Sequence, residues 1–259
     1  MEVPIYSIKG KASKKSAQLP DAFNEPVRLD LIRKAVRASR ANRRQPYGAS
    51  KGAGFRHSVS WPGKGRGMAR TPRKNGGGGR GAEAPNTIGG RRAHPPKAEK
   101  NWSLKINSKE NKKAFKSALA ATSQESYVLA RGHQIPEKAT LPYVVEDKIE
   151  TLAKDNEGGS LTKRASSLLD SLGLLDDVKR SRDGKGIRAG KGKSRGRKYR
   201  TPKSILLVLS EDNDSEKAFR NLSGIDVTTS KNLNTELLAP GGDPGRLVVL
   251  QSSVVIVIN

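Results

Sequence analysis

Two segments of the chain combine basic side chains with glycine, a composition suited to binding phosphate. Residues 46–100 contain 12 Lys/Arg and 2 Asp/Glu, a net charge of +10, together with 13 glycines. Residues 179–203 contain 12 Lys/Arg and 1 Asp/Glu, a net charge of +11. Glycine lets the backbone approach phosphate closely, while a guanidinium can donate two hydrogen bonds to phosphate oxygens. The two segments therefore predict binding to a polyanion.

The remainder of the chain is close to electrically balanced. The 259 residues include 50 Lys/Arg and 25 Asp/Glu, a net charge of +25, and the two segments account for 21 of these charges. So large a charge repels itself in a folded state, which favours an anionic partner: nucleic acid first, a membrane surface second. No apolar run approaches the roughly 18 residues of a membrane span, and the first residues do not form a secretory signal.

Aromatic residues lie within or beside the first basic segment. Tyr47, Phe55, Trp61 and Trp102 could stack on unpaired bases or pack on the protein, and for Trp102 the two alternatives are equal. RNA is favoured over duplex DNA because the sequence contains no helix-turn-helix, zinc-finger or basic-zipper pattern.

Motifs for catalysis, nucleotides and metals are weak. Gly192, Lys193 and Ser194 resemble the end of a phosphate-binding loop, but its first glycine is replaced by Ile187 and no apolar helix follows. The acidic run at 211–216 lacks the glycine and spacing of a calcium loop and is interpreted as a helix start. Cysteine is absent and the three histidines are far apart. We therefore expect no enzyme activity, cofactor or metal site.

The rest of the chain alternates between strand and helix patterns, which predicts an α/β fold with a mainly parallel sheet and helices packed on it. Strands are expected at residues 3–8, 143–145, 205–209, 225–229 and 247–250. Helices are expected from Pro26, from Asn107 with Glu110 completing a capping box, at 161–172 with Gly173 as C-cap, after the acidic run, and at 233–238.

Residues 46–100 do not fit that alternation and are predicted to form a long extended irregular loop. Ordering its backbone would cost about 1–2 kcal/mol per residue, roughly 50–100 kcal/mol in all, with little apolar surface to offset it. We expect the segment to be disordered in isolation and to become ordered against a polyanion.

Four long blocks of sequence resemble a known family. They are "EPVRLDLIRKAVRASRANRRQPYG", "GGRRAHPPKAEKNWSLKINSKENKKAFKSALAATS", "AGKGKSRGRKYRTPKSILLVLSED" and "NTELLAPGGDPGRLVVL". In this order they are similar to the fourth protein of the large ribosomal subunit, in its archaeal and eukaryotic form. The resemblance extends from about residue 3 to residue 250.

The resemblance implies a structural, non-catalytic protein of the cytoplasmic ribosome. It implies a single α/β domain over residues 1–259, with the loop 46–100 inserted in it and 179–203 as a second RNA-binding segment. Its partners would be large-subunit ribosomal RNA, neighbouring large-subunit proteins and the nascent peptide. The loop tip, within residues 60–88, would line the exit tunnel together with a loop of large-subunit protein twenty-two, and the RNA binding would support subunit assembly.

The basic segments and this resemblance together give a set of predicted RNA-binding residues. They are Arg40, Arg43, Arg44, Lys51, Arg56, Trp61, Lys64, Arg66, Arg70, Arg73, Lys74, Arg80, Arg91, Arg92, His94, Lys97, Lys185, Arg188, Lys191, Lys193, Arg195, Arg197, Lys198, Tyr199 and Arg200.

Two alternatives stay open at this point. The family ends in a helix after its last strand, whereas "QSSVVIVIN" is rich in β-branched residues and could extend a strand. The rival function is a free RNA chaperone or regulatory RNA-binding protein that acts away from the ribosome.

Overall fold

A six-stranded sheet organises the larger of the two units into which the chain divides. The structure, a computed structural model, describes residues 1–137, 139–153, 160–211 and 215–257. The larger unit comprises Met1–Arg40 and Leu104–Asn259 and is called the body. The smaller unit comprises Ala41–Ser103 and is called the loop unit.

The described strands and helices follow one another along the chain. The strands are β1 (Glu2–Tyr6), β2 (Ala12–Gln18), β3 (Val59–Ser60), β4 (Arg73–Lys74), β5 (Tyr143–Val145), β6 (Gly186–Ile187), β7 (Tyr199–Arg200), β8 (Leu206–Leu209), β9 (Asp226–Thr229) and β10 (Val248–Gln251). The helices are α1 (Leu29–Asn42), α2 (Ser108–Ser123), α3 (Glu125–Ala130), α4 (Leu161–Ser171), α5 (Leu175–Asp183), α6 (Ser215–Arg220), α7 (Thr235–Leu238) and α8 (Ser252–Val257). None of the described helices is long and apolar enough to cross a membrane.

The sheet of the body is parallel except at one edge. Its order is β2-β1-β5-β10-β8-β9, and β1 and β2 pair antiparallel while the other neighbours pair parallel. In the central register, Leu250 lies between Val144 and Val208. Strands buried on both faces read as continuous apolar runs, as β8 and β10 do. The predicted α/β class with a mainly parallel sheet is confirmed.

Side chains that alternate along the strands form a core on each face of the sheet. Leu206 packs with Ile32 of α1 and Leu119 of α2 on one face. Leu207, the next residue of the same strand, packs with Leu169 of α4 on the other. This alternation is the period of two that a strand imposes, and it fixes the register of the central strands against both helical layers.

Several element boundaries differ from the sequence prediction. Helix α1 begins at Leu29, because the backbone before it is bound by α2: Ser117 Oγ donates to the Pro26 carbonyl at 2.6 Å and accepts from the Arg28 amide at 3.2 Å. The side chain of Asn107 precedes α2 but makes no capping hydrogen bond. After α4, the Leu174 amide donates to the Leu169 carbonyl at 2.8 Å, the bond expected where a helix ends at Gly173.

The chain continues after β10 as a helix rather than as a strand. In α8, Val254 and Val255 are buried, whereas Ile256 and Val257 are 79% and 64% exposed. A strand would place residues 254 and 256 on the same face, but a helix turns them about 200° apart. The helical alternative for the C-terminal segment is therefore the correct one.

We predict unequal effects of alanine at two positions of α8. Val254→Ala should lower the free energy of unfolding by about 1–3 kcal/mol, because a fully buried side chain is truncated. Ile256→Ala, the matched exposed control, should change it by less than about 0.5 kcal/mol. Urea unfolding followed by circular dichroism measures both. Equal losses would indicate the strand arrangement instead.

Candidate nucleic-acid interface

Most of the predicted RNA-binding residues belong to the loop unit, where they are accessible. The unit contains 14 Lys/Arg and 2 Asp/Glu, a net charge of +12. Arg73 and Arg91 are half-buried, and the other predicted residues of the unit are exposed. Trp61 is 68% exposed. The loop unit therefore presents cations without burying them in a core.

The glycine-rich turn of the loop unit is closed by its own backbone and by one arginine. The turn follows β4, which pairs antiparallel with β3, and across the turn the Lys74 amide donates to the Arg80 carbonyl at 3.0 Å. The Arg73 guanidinium donates to the Gly79 carbonyl inside the turn. Arg73 thus stabilises the turn, a role that the sequence interpretation missed, while Lys74 and Arg80 stay exposed.

Two passes of the backbone touch in the loop unit at Gly54. This residue has a φ of +81°, and a Cβ added to it would lie 2.5 Å from the Arg91 backbone nitrogen. Any other residue would be strained there and would also separate the two passes. The Arg91 guanidinium lies 5.7 Å from the centroid of the Phe55 ring. The close approach of the two passes thus places the half-buried Arg91 beside Phe55.

Trp102 packs inside the loop unit. Its ring is stacked on Tyr47, with the centroids 5.9 Å apart and the planes inclined by 19°. The guanidinium of Arg44 lies 3.9 Å from its centroid and the ammonium of Lys100 lies 4.5 Å from it. A cation over an indole face is attracted by the ring quadrupole. The rings and cations near the ends of the loop unit therefore form one cluster.

The second basic segment is an exposed hairpin of the body. Strands β6 and β7 pair antiparallel, and a 3-10 helix, Lys191–Arg195, lies between them. Arg188 donates to the carbonyls of Arg197 and Tyr199 at 3.2 and 3.3 Å, so this half-buried arginine holds the hairpin together. The remaining predicted residues of the segment, Lys185 among them, are exposed.

The structure places the weak catalytic and metal motifs in unsuitable surroundings. Gly192, Lys193 and Ser194 lie in the 3-10 helix of the hairpin, which no apolar helix follows, so they do not form a nucleotide loop. Asp212 and Asp214 lie outside the described residues, whereas Glu211 and Glu216 lie within them. Within the described ranges, no cluster of three His, Asp or Glu side chains could hold a metal ion.

A buried carboxylate anchors the base of the hairpin. Asp177 of α5 is fully buried; it accepts from Ser204 Oγ at 2.6 Å and from Arg180 Nε at 2.9 Å, and His133 Nδ1 lies 3.0 Å away. Burial by itself raises the pKa of Asp177, but the hydrogen bonds from His133 and Arg180 outweigh it. The pKa is therefore held far below its usual range and the carboxylate stays ionised.

Hydrogen bonds around Asp177 clamp the two ends of the second basic segment to each other. Arg180 Nη2 donates to the Lys203 carbonyl at 3.0 Å, and Ser181 Oγ donates to the Pro202 carbonyl at 2.7 Å. Sequence reasoning missed this clamp. One indication of it was present in the sequence, the isolated histidine His133. Its partner Asp177 is 44 residues away and could not be identified from the sequence.

A second buried charge, Arg246, fixes the strand that follows the hairpin. Arg246 is fully buried; its Nε donates to the Ser204 carbonyl at 3.0 Å and its Nη2 lies 2.7 Å from Asp226 Oδ2. Burial lowers the pKa of Arg246, and the charge of Asp226 opposes this. Ser204 thus binds Asp177 through its hydroxyl and Arg246 through its carbonyl, which joins the two charges through one residue.

The body also has a basic cleft at the base of the hairpin, and Lys185 is the one cation in its lining that was among the predicted RNA-binding residues. It has a volume of about 740 Å³ and is lined in part by Lys179, Arg182, Lys185, Lys203 and Arg220. Lys179 and Arg182 are three residues apart on α5 and so share a face of the helix. This spacing is the feature of the sequence that could have indicated a basic surface. Arg220 comes from α6, and its place in the cleft depends on the tertiary fold.

Arg40, a predicted RNA-binding residue of α1, already has a partner in the body. Its Nε lies 3.0 Å from Glu236 Oε1, although its side chain is 53% exposed. On the same helix, Arg33 pairs with Asp243 and Lys34 with Glu110. The α1 cations therefore help to join body elements, and RNA binding by Arg40 stays a prediction.

Comparison with known proteins identifies the family of the chain. A model of the ribosomal protein L4/L1 family matches residues 17–259. The chain belongs to this family. Ribosomal proteins of this family are structural components rather than enzymes, so the expectations about family and catalysis are confirmed.

Relatives in the family match nearly the whole chain. The large ribosomal subunit protein uL4 of Haloquadratum walsbyi is 48% identical over 255 residues, covering 98% of both chains. That of Methanopyrus kandleri is 45% identical over 96% of this chain and 94% of its own. That of Methanococcoides burtonii is 48% identical over 97% and 95%. The family match thus includes both basic segments.

We predict that Asp177→Asn destabilises the body by about 3–5 kcal/mol at pH 7, because a buried ion pair loses one partner. The folded-state pKa of Asp177 is lowered, so its contribution is fully present above the unfolded carboxyl's value of about 3.9 and is lost as pH falls below it. Urea unfolding at pH 7 and across pH 5 to 2 measures both effects, and the variant should lose less stability on acidification.

The matched control for this variant is its exposed neighbour. Asp176 pairs with Lys179 at 2.8 Å, but its side chain is 69% exposed. Asp176→Asn should change stability by less than about 0.5 kcal/mol. Equal losses for the two variants would show that the buried network does not stabilise the body.

Proposed function

We propose that the chain binds large-subunit ribosomal RNA through residues 46–100 and 179–203 and thereby supports assembly of the subunit. The observation that carries this proposal is exposure. Of the 25 predicted residues, Arg73, Arg91 and Arg188 are half-buried and the other 22 are exposed. Exposed cations with few nearby carboxylates suit a phosphate backbone. Family membership supports ribosomal RNA as the polyanion.

The loop unit is the part proposed to line the nascent-peptide exit tunnel. The 55 residues from 46 to 100, as an excursion out and back, extend at most about 27 × 3.3 Å, roughly 90 Å. That reach is enough to penetrate tens of ångströms into an RNA body. As the family resemblance implies, the loop tip would lie within residues 60–88, in the middle of this excursion, and would contact the nascent peptide at the tunnel wall.

The remaining partners follow from the same placement. We expect neighbouring large-subunit proteins to contact the chain on the cytoplasmic ribosome.

The rival function is an RNA chaperone or regulatory RNA-binding protein that acts off the ribosome. Sucrose-gradient fractionation of cells that carry a tagged chain separates the two. One copy per large subunit supports the ribosomal function, whereas absence from the large-subunit peak contradicts it.

We predict that deleting residues 51–97 leaves the body folded and weakens RNA binding. The two chain ends that the deletion connects lie close together, because the Ala49 amide donates to the Pro96 carbonyl at 3.0 Å. The deletion removes 11 Lys/Arg, and each lost phosphate contact should reduce the slope of log affinity against log salt by about 0.7–0.9. Filter binding to large-subunit RNA across salt concentrations and urea unfolding measure the two outcomes.

A full-length control separates the charge of the loop from its length. Replacing the same 11 cations with glutamine should reduce the salt dependence as much as the deletion does and leave the body equally stable. If the deleted chain fails to fold, the division into body and loop unit is wrong. If the salt slope does not change, RNA binding does not depend on this segment.

A further inference from the structure

The loop unit contains a cleft in which aromatic rings and cations lie together. The cleft has a volume of about 540 Å³, and its lining includes Tyr47, His94, Lys97, Lys100 and Trp102. That volume lies within the range of small-molecule sites. One carboxylate, Glu99, also lines the cleft. Rings for stacking beside ammonium groups are the components that proteins use to bind a nucleotide.

The walls of the cleft are built by a close contact between the two ends of the loop unit. The Ala49 amide donates to the Pro96 carbonyl at 3.0 Å. Next to this bond, a Cβ added to Gly48 would lie 2.7 Å from the Ala98 backbone nitrogen. Only glycine permits that approach. Tyr47 and Lys97, which are 50 residues apart in the sequence, therefore line the same cleft.

Trp102 supplies a donor that has no acceptor. Its Nε1 is buried and makes no hydrogen bond within the described part of the chain. A buried donor without a partner is costly, and indole N–H groups normally find one. The same ring has Arg44 and Lys100 near its face, at 3.9 and 4.5 Å. The unpaired N–H needs an acceptor, and the cations over the face of the same ring favour an acceptor that belongs to an anionic ligand.

We propose that this cleft binds one unpaired nucleotide of RNA. The exposed ring of Tyr47 stacks on the base, Trp102 Nε1 donates to an oxygen of the nucleotide, and Lys97 and Lys100 face its phosphate. A base within an A-form duplex cannot enter, because both of its faces are stacked and its pairing edge is used. The inference rests on the proposed function and adds the kind of RNA site that the protein selects.

The two tryptophans of the chain make the test direct. Trp61 and Trp102 are its only tryptophans, so Trp61→Phe leaves Trp102 as the sole indole reporter in the full-length protein. The probes are four RNA hairpins, each with one bulged base of a different kind, and the same hairpin without a bulge. We expect at least one bulged hairpin to quench Trp102 emission and bind about tenfold more tightly than the unbulged one.

Two variants identify the groups responsible. Trp102→Phe keeps an aromatic ring but removes the N–H donor, and Tyr47→Leu removes the stacking ring. Both should lose the preference for the bulged hairpin and keep the affinity for the unbulged one, which depends on the other cations. Tyr127→Phe, an aromatic substitution in α3 of the body, is the control and should keep the preference, because Tyr127 does not line the cleft.

Three results would overturn the inference. The first is a preference for bulged RNA that survives both variants, and the second is an absence of any preference in the wild-type protein. In either case binding to the unbulged hairpin shows that the proposed function stands while the nucleotide site fails. Failure to bind any hairpin is the third result, and it would overturn the nucleotide site and the RNA-binding function together.

Discussion

Fifty basic side chains in 259 residues would repel one another in any arrangement that packed them around one core. The fold meets this constraint by separating charge from apolar surface along the chain. The strands β5, β8 and β10 are buried in the body, and helices cover both faces of the sheet. The excess charge lies in a loop unit and a hairpin that contain few buried side chains. The residues that form the core are thus largely separate from those proposed to bind RNA.

Keeping a highly charged segment apart from the core requires a firm base, and the hairpin obtains it from buried charges. Desolvating Asp177 and Arg246 is costly, so apolar residues would give as much stability or more. The buried charges instead fix the positions of the segments that they join, because their hydrogen bonds require defined distances and angles. Ser204 binds both, and it immediately precedes the buried run that contains β8. Ser204 therefore connects the base of the hairpin to the start of β8.

The periodic parts of the fold could be predicted from sequence, and the parts that depend on distant contacts could not. The apolar runs at 143–145 and 205–209 indicated β5 and β8 because burial on both faces leaves a local signature. Strand β2 was missed because it is a polar, mostly exposed edge strand. Helix α8 has β-branched residues that favour strands, and packing overrides that preference. The basic segments followed from composition, whereas the clamp at Asp177 joins residues from three distant parts of the chain.

Exposure divides the arginines of the basic segments into two kinds that composition cannot distinguish. Arg73 and Arg188 direct their guanidinium groups to backbone carbonyls of the turn or hairpin in which they lie. Glycine-rich turns have few apolar contacts, so these hydrogen bonds supply much of the local order that the sequence otherwise lacks. A guanidinium that donates to backbone carbonyls has fewer N–H groups left to bind a phosphate. Its part in the proposed RNA binding is therefore indirect: it fixes the backbone that presents neighbours such as Lys74 and Arg80. Lysine could not replace it, because an ammonium lacks the planar fork.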